Sequence, residues 1–445
     1  MFTRLHVIFA LSFSALLYGC SSAPTQDLPQ APPTIIQPSL QPSRHVESIS
    51  DHPPVGLTYQ SPDGNRFIEA SGSIPDLPPI DIPLDGVPEW VVSIPIDTGS
   101  LWAAVLQDGR VQAFIVNSEG YSPAEISPPA LTPGMPPVLT FENGTATVLP
   151  NTIQPLSPSS HSLPLFSSQQ IAFIDENSHL SLQTGGYAHS FDFVALPDAR
   201  ILSDGGGRLL LLTGPTTDYS HGVLGDSLEA SGVALVNSSP DPGVLSHFSA
   251  PNGDVIEGIA PIWTDLDGDG SREIIITLSN SNVGAFIGVF SEAGEQLAAS
   301  QPIGQGFRWR HQIAAAPFGP NGEIEIVNVL TPHIGGIVEF LRWEAETLVR
   351  VADISGFSSH LIGSRNLDMA AAVDFDGDGK IELIVPTQDM RTLAALQRIP
   401  DGVQVDWMND LGAMISTNIS LLALLDNSVA LGIGLDSGIL RIWHP

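Results

Sequence analysis

The sequence predicts an all-β fold: a seven-bladed β-propeller of four-stranded antiparallel blades, closed by an N-terminal strand, with six or eight blades as alternatives. Three observations predict it. From Glu89 to the end of the 445 residues, short apolar runs alternate with Gly, Asn, Asp and Pro turns, and no stretch keeps a helical period. One unit recurs: strand, acidic turn, strand, turn, strand, turn, strand. Repeats of about 50 residues with four strands each characterise propellers, whose closure removes exposed sheet edges.

The N-terminus reads as a leader. Arg4 precedes a short apolar run, Val7 to Tyr18, too short to span a bilayer permanently. It ends in Leu17-Tyr18-Gly19-Cys20-Ser21-Ser22, and Cys20 is the sole cysteine, so no internal disulfide is available. This stretch resembles the bacterial lipobox, with Tyr18 less usual at its position. The resemblance implies a signal peptide at 1–19, lipidation of Cys20 and an anchor in the bacterial envelope. Ser21, not being aspartate, implies the outer membrane or cell surface. An ordinary secretory signal with a chance cysteine is the competing reading.

Residues 20–54 are rich in Pro, Ser and Gln and read as a disordered tether. In 55–88, Leu57-Thr-Tyr-Gln and Arg66-Phe-Ile-Glu flank Ser61-Pro-Asp-Gly-Asn, a hairpin signal. This segment is expected to supply the fourth strand of the last unit, which ends at Ile439-Leu-Arg-Ile-Trp443. The propeller proper spans 89–445.

Within it, units open at Trp90 and near Pro137, Phe191, Gly258, Ile313, Ala370 and Ile419. Two carry the sharpest motif, Asp265-Leu-Asp-Gly-Asp-Gly-Ser-Arg-Glu273 and Asp374-Phe-Asp-Gly-Asp-Gly-Lys-Ile-Glu382, each running into an apolar strand. Carboxylates at alternate positions with glycines at the bends are how a loop wraps a calcium ion. The expected ligands are the side chains of Asp265, Asp267, Asp269 and Glu273 with the carbonyl of Ser271. At the second site they are Asp374, Asp376, Asp378 and Glu382 with the carbonyl of Lys380. An EF-hand would need glutamate at position 12, where Ile276 and Val385 stand. Both ions are expected to be structural. A third turn, Pro317-Phe-Gly-Pro-Asn321-Gly-Glu-Ile-Glu325, keeps the shape and loses the first aspartates.

These loops resemble FG-GAP/VCBS repeats, the calcium-loop propeller blades also found in integrin α-subunits. The match is strong for two units and partial for a third. Where that family commonly has aspartate at position 9, this chain has Glu273 and Glu382.

Composition narrows the partners. With 48 Asp and Glu against 16 Lys and Arg, the net charge is −32, and Lys380 is the single lysine. No basic stripe exists for nucleic acid or anionic lipid, so the lipid on Cys20 is the expected membrane contact. Asp97-Thr98-Gly99-Ser100 looks like an aspartic-protease motif, with Asp436 as a conceivable partner. Asp97, however, falls in a first turn and Asp436 in a second turn, so they are not symmetric equivalents. Asp97-Thr-Gly-Ser-Leu-Trp102 also faintly resembles the tryptophan motifs of quinoprotein and outer-membrane-assembly propellers.

Second turns and inter-unit connections share the face opposite the calcium turns. They hold His221, Asp226, Arg308, Arg310, His311, His333, His360, Arg365 and Arg391, a concentration of scarce cations. One reading is a pocket for an acidic glycan or a protein. The other, favoured by composition, pairs these arginines with the abundant carboxylates. The chain reads as a binding or adhesion module rather than an enzyme. A lyase-like enzyme acting on polysaccharide at the His/Arg face, or an envelope scaffold, are the alternatives.

Overall fold

In the computed structural model the described residues are 54–142, 144–149, 157, 159–219 and 221–445. Cys20, the leader and the tether therefore lie outside the described residues. What is described is all-β apart from three single turns of 3-10 helix.

The strands form successive antiparallel sheets along the chain. The first is Pro88–Ile96, Gly99–Leu106, Val111–Asn117 and Gly120–Ala124. The second pairs Val138–Glu142 with Thr145–Leu149 and takes Val55–Gly56 on one edge and Ile126–Ser127, in parallel, on the other. Leu163–Leu165, Gln170–Ile174, Leu180–Thr184 and Tyr187–Ser190 make the third. A thirteen-stranded sheet follows. It comprises three four-stranded runs, within residues 202–249, 262–300 and 310–355, linked through Val255–Ile256 and a parallel pairing of Gln296–Ser300 with Thr347–Ser355. Phe67–Ser71 heads a five-stranded sheet completed by Ala371–Asp374, Glu382–Pro386, Thr392–Ile399 and Gly402–Asp410. In the last sheet Ile80–Pro83 pairs antiparallel with Ile439–Trp443, beside Val429–Leu435 and Ile415–Ala423.

Two expectations change. The span expected as one unit from Pro137 to Phe191 divides into separate sheets. The hairpin across Ser61–Asn65 does not form. Val55–Gly56 joins the second sheet, while Phe67–Ser71 joins the five-stranded sheet in parallel. Side-chain and backbone partners far along the chain outbid the local turn signal. Ser203 N–H donates to the Pro62 carbonyl at 2.8 Å and Trp263 N–H to the Asp63 carbonyl at 3.0 Å. The Asn65 amide grips both backbone groups of Ala315, at 2.8 and 3.0 Å. Ala372 N–H donates to the Arg66 carbonyl at 2.8 Å, and Leu421 N–H to the Gln60 side chain at 2.9 Å. Residues 62–66 thus bond to the first strands of four consecutive groups, and Gln60 to that of the last sheet.

The core lies between sheets. Period-two alternation sends side chains of one strand to both faces, and here both faces are buried. From Pro88–Ile96, Trp90, Val92 and Ile94 pack against Leu139, Phe141 and Val148 of the second sheet. Val91 joins Trp102, Leu422, Ala430, Leu440 and Ile442, a cluster shared by the first and last sheets. Gly432 makes this approach feasible, because a Cβ there would lie 2.1 Å from the Trp102 ring.

Candidate metal loops and a ring-lined face

The two acidic loops fold alike, hydrogen bond for hydrogen bond. Asp265 Oδ1 accepts Gly268 N–H at 2.7 Å, and Asp374 Oδ1 accepts Gly377 N–H at 2.7 Å. Their Oδ2 atoms accept Gly270 and Gly379 N–H at 2.9 and 3.2 Å. Asp267 and Asp376 each cap the amide two residues on, as do Asp269 and Asp378. Gly268 and Gly377 sit at φ +78° and +82°, a conformation that favours glycine.

At each loop three carboxylates converge. At the first loop, carboxylate oxygens of Asp265, Asp267 and Asp269 lie within 4.8 Å of one another. Glu273 Oε2 accepts Leu266 N–H at 2.8 Å, just as Glu382 Oε2 accepts Phe375 N–H at 2.9 Å. At the second loop the close group is Asp374, Asp376 and Glu382. Asp378 leans instead to the Lys380 ammonium at 2.7 Å. The donor set suits a hard cation, since every converging group is a carboxylate oxygen. Burial first, and then the neighbouring aspartates, push Glu273 up and raise Glu382 to about 7. A bound divalent ion would relieve that repulsion.

The degenerate third turn supports this reading. Asn321 N–H and its side-chain amide both donate to Glu323, at 2.9 and 3.0 Å, which rebuilds the bend without aspartates. Glu325, fully buried at the place of Glu273 and Glu382, is instead met by Arg398 at 2.9 Å and Arg342 at 2.6 Å. Guanidinium groups neutralise it where the chain has dropped the carboxylate cluster. Among the described residues no arginine ion-pairs with Glu273 or Glu382. A groove of about 580 Å³ lies between the first loop and this turn, lined by Asp267, Gly268, Glu323, Ile324, Arg342 and Trp343 among others.

The opposite set of loops is built from rings. The sequence Phe307-Arg308-Trp309-Arg310-His311 alternates aromatic and basic groups as it enters the strand Arg310–Ala316. Trp309 stacks on His311 at 4.6 Å between centroids, meets His360 edge-on at 5.2 Å and faces His333 at 6.2 Å. Phe307, 60% exposed, contacts Tyr219 at 5.1 Å and His221 at 5.4 Å. His333 Nε2 lies 2.7 Å from His360 Nδ1. His311 Nδ1 meets Ser359 Oγ at 2.8 Å, while its buried Nε2 and the Trp309 indole N–H have no hydrogen-bond partner among the described residues.

Carboxylates underlie this face. His221 Nδ1 lies 2.6 Å from Glu257 Oε1, and Glu257 also accepts the Ser279 hydroxyl. Arg365 bridges Asp198 at 3.2 Å and Asp226 at 2.9 Å. Burial, then the field of Glu257, raises Glu229 to about 9. Asp198 rises to about 6 through burial and Asp226, against the pull of Arg365. Burial lowers His333, lowers His360 to about 4 and lowers His311 well below the usual range, so all three imidazoles are neutral at neutral pH.

Of the nine residues expected on this face, His311, His333 and His360 meet around Trp309, His221 packs with Tyr219 and Phe307, and Asp226 pairs with Arg365. The arginines do not form an anion pocket. Arg310 is buried on the other side of its strand, donating to Ser300 at 2.5 Å and pairing with Glu339 at 3.4 Å. Arg308 is exposed, donating to the Ile303 carbonyl at 3.5 Å, and Arg391 is exposed on a separate turn. The alternation in 307–311 already separates rings from guanidinium groups by face. Phe307, Trp309, Tyr219, Glu229 and Glu257 were not singled out in the sequence, and only that alternation hinted at the first two.

No protein-family model matches the chain, and no curated protein is similar to it. Solved structures of similar shape include BamB from Moraxella catarrhalis, 10% identical, covering 82% of this chain and 96% of that one at a TM-score of 0.43. A europium-containing methanol dehydrogenase is 11% identical over 85% of this chain and 90% of its own, at 0.49. Quinohemoprotein alcohol dehydrogenase ADHIIG from Pseudomonas putida HK5 is 9% identical over 87% and 80%, at 0.48. Likeness at this level carries neither residues nor activity to this chain.

Proposed function

We propose that the chain is a lipid-anchored envelope protein whose folded part is a closed eight-bladed β-propeller, rigidified by two calcium ions and used as a binding module. Eight four-stranded groups, and a core shared by the first and last sheets, support the blade count and the closure. The matched hydrogen bonding of the two acidic loops supports calcium as a structural ion. The sequence around Cys20 supports the anchor.

The ligand face is the ring-lined one. A single observation carries this: Phe307 stands 60% exposed against the rings of Tyr219 and His221. Aromatic faces of this kind stack on the flat faces of sugar rings, and their low side-chain entropy makes them efficient contact surface. With the nearby arginines paired or turned away, a neutral or weakly acidic glycan fits better than a densely anionic one. Affinity electrophoresis through gels holding a neutral glucan, pectin or alginate tests it. Retardation of the wild type that is lost in Phe307→Ala supports the reading. Retardation by none of the polymers overturns glycan binding and leaves a protein ligand.

A second reading has its own observation. His221, oriented by Glu257 at 2.6 Å, with Glu257 in turn acting on the protonated Glu229, has the layout of a base backed by an acid pair. Release of new chain ends from a polysaccharide, abolished in His221→Ala, would make the protein an enzyme.

A further inference from the structure

We propose that His333 and His360 form the core of a transition-metal site, for zinc, copper or nickel, on the ring-lined face and separate from the acidic loops. The two residues lie on different loops, one between the strands Glu325–Leu330 and Ile337–Glu344, the other after Thr347–Ser355. Their nitrogens nonetheless converge to 2.7 Å, His333 Nε2 against His360 Nδ1.

The tautomer of His360 is fixed by its other nitrogen. Nε2 lies 2.7 Å from the Ser364 carbonyl, which can only accept, so Nε2 carries the proton. Nδ1 of the neutral ring is therefore a bare lone pair, aimed at His333. This is how second-shell partners set a metal-ligating imidazole. In the metal-free chain His333 Nε2–H donates to that lone pair. When an ion binds, His333 takes its other neutral tautomer: the Nε2 proton passes to solvent, Nδ1 takes one up from solvent, and two lone pairs face one centre. Two nitrogens at about 2.0–2.1 Å from a tetrahedral ion sit roughly 3.3 Å apart, so the pair opens by about half an ångström. His333 is on a half-exposed turn beside Ile334, which is 83% exposed, so that movement meets little packing.

The surroundings favour a borderline ion over calcium. The donors are imidazole nitrogens, which suit a borderline ion. His221 has its Nδ1 held by Glu257 at 2.6 Å, which leaves a lone pair on Nε2. Among the described residues it does not complete a three-ligand cluster within 4.8 Å. The remaining positions then fall to water or an incoming ligand, as in an open metal site.

The test needs no ligand, so its failure is distinct from failure of glycan binding. The folded chain, in excess calcium to occupy the acidic loops, is titrated with zinc by calorimetry and with cobalt by absorption. One ion per chain with a tetrahedral cobalt spectrum is expected. His333→Gln, on the half-exposed turn, and His360→Gln should each weaken zinc binding by at least the roughly 10–100-fold that outer-shell changes cost. His189→Gln, on an exposed strand, should leave it unchanged. Wild-type binding that survives His333→Gln, or the absence of zinc binding and of a cobalt spectrum, overturns the site.

Discussion

The side-chain amide of Asn418 hydrogen-bonds both backbone groups of Val91, donating to its carbonyl at 2.7 Å and accepting its N–H at 3.0 Å. Asn418 lies in the last sheet and Val91 in the first, so this pair, with Ser93 and Ser420 at 2.9 Å, fastens the two ends of the sheet array. Both residues are fully buried. Asn418→Ala leaves the Val91 groups without a partner and should cost about 2–3 kcal/mol. Urea denaturation checks this. An unchanged midpoint would mean that the seam is held by apolar packing alone.

Asp368 is the electrostatic hub of the N-terminal segment. It is fully buried between Arg66 at 2.9 Å and Arg200. Arg66 also donates to the Ile313 and Leu367 carbonyls, both at 2.8 Å. Asp368→Asn removes the charge that compensates two buried guanidinium groups and should destabilise by about 3–5 kcal/mol. Limited proteolysis should then cut first within 55–72, which its own strands no longer fasten. Cutting elsewhere would show that the segment is held independently of this pair.

Calcium should raise the melting temperature and EDTA should lower it. At ten times its Kd, each ion contributes about 1.4 kcal/mol. Asp265→Asn and Asp374→Asn should each remove about half of the calcium response in differential scanning calorimetry. A melt that ignores EDTA argues against structural calcium.

The pH dependence of the calcium-free chain has a defined sign. Glu229 at about 9, Glu382 at about 7 and Asp198 at about 6 are all raised above their unfolded values. The folded chain thus holds protons that the unfolded chain releases. This stabilisation is present at low pH and is lost as pH rises through those values. The buried His360, lowered to about 4, and His161, lowered to about 3, work oppositely. Their contribution is present above about 6.5 and is lost as pH falls through their folded values. Above pH 6.5 only the carboxylate trend remains, so urea midpoints in EDTA should fall from pH 6.5 to 9. Glu229→Gln should flatten that fall.

Cys20→Ser should move the protein from the membrane fraction to the soluble one and abolish incorporation of labelled palmitate. Membrane association that persists in this variant would require a different anchor.

Local features were legible because local chemistry decides them. Alternating apolar runs and Asp-Gly turns mark strands and loops within a few residues, so the all-β class, the two acidic loops and the degenerate turn at Asn321 could be read directly. The sequence by itself also located the two loops in which carboxylates converge. Only the tertiary structure decided how the chain ends are used: Gln60 bonds to Leu421, Asn65 to Ala315 and Arg66 to Asp368. Likewise, it alone paired His333 with His360 and turned Arg310 away from His311. Those partners lie on loops and strands brought together by packing. No local propensity encodes a contact whose energy depends on both sides being buried at once.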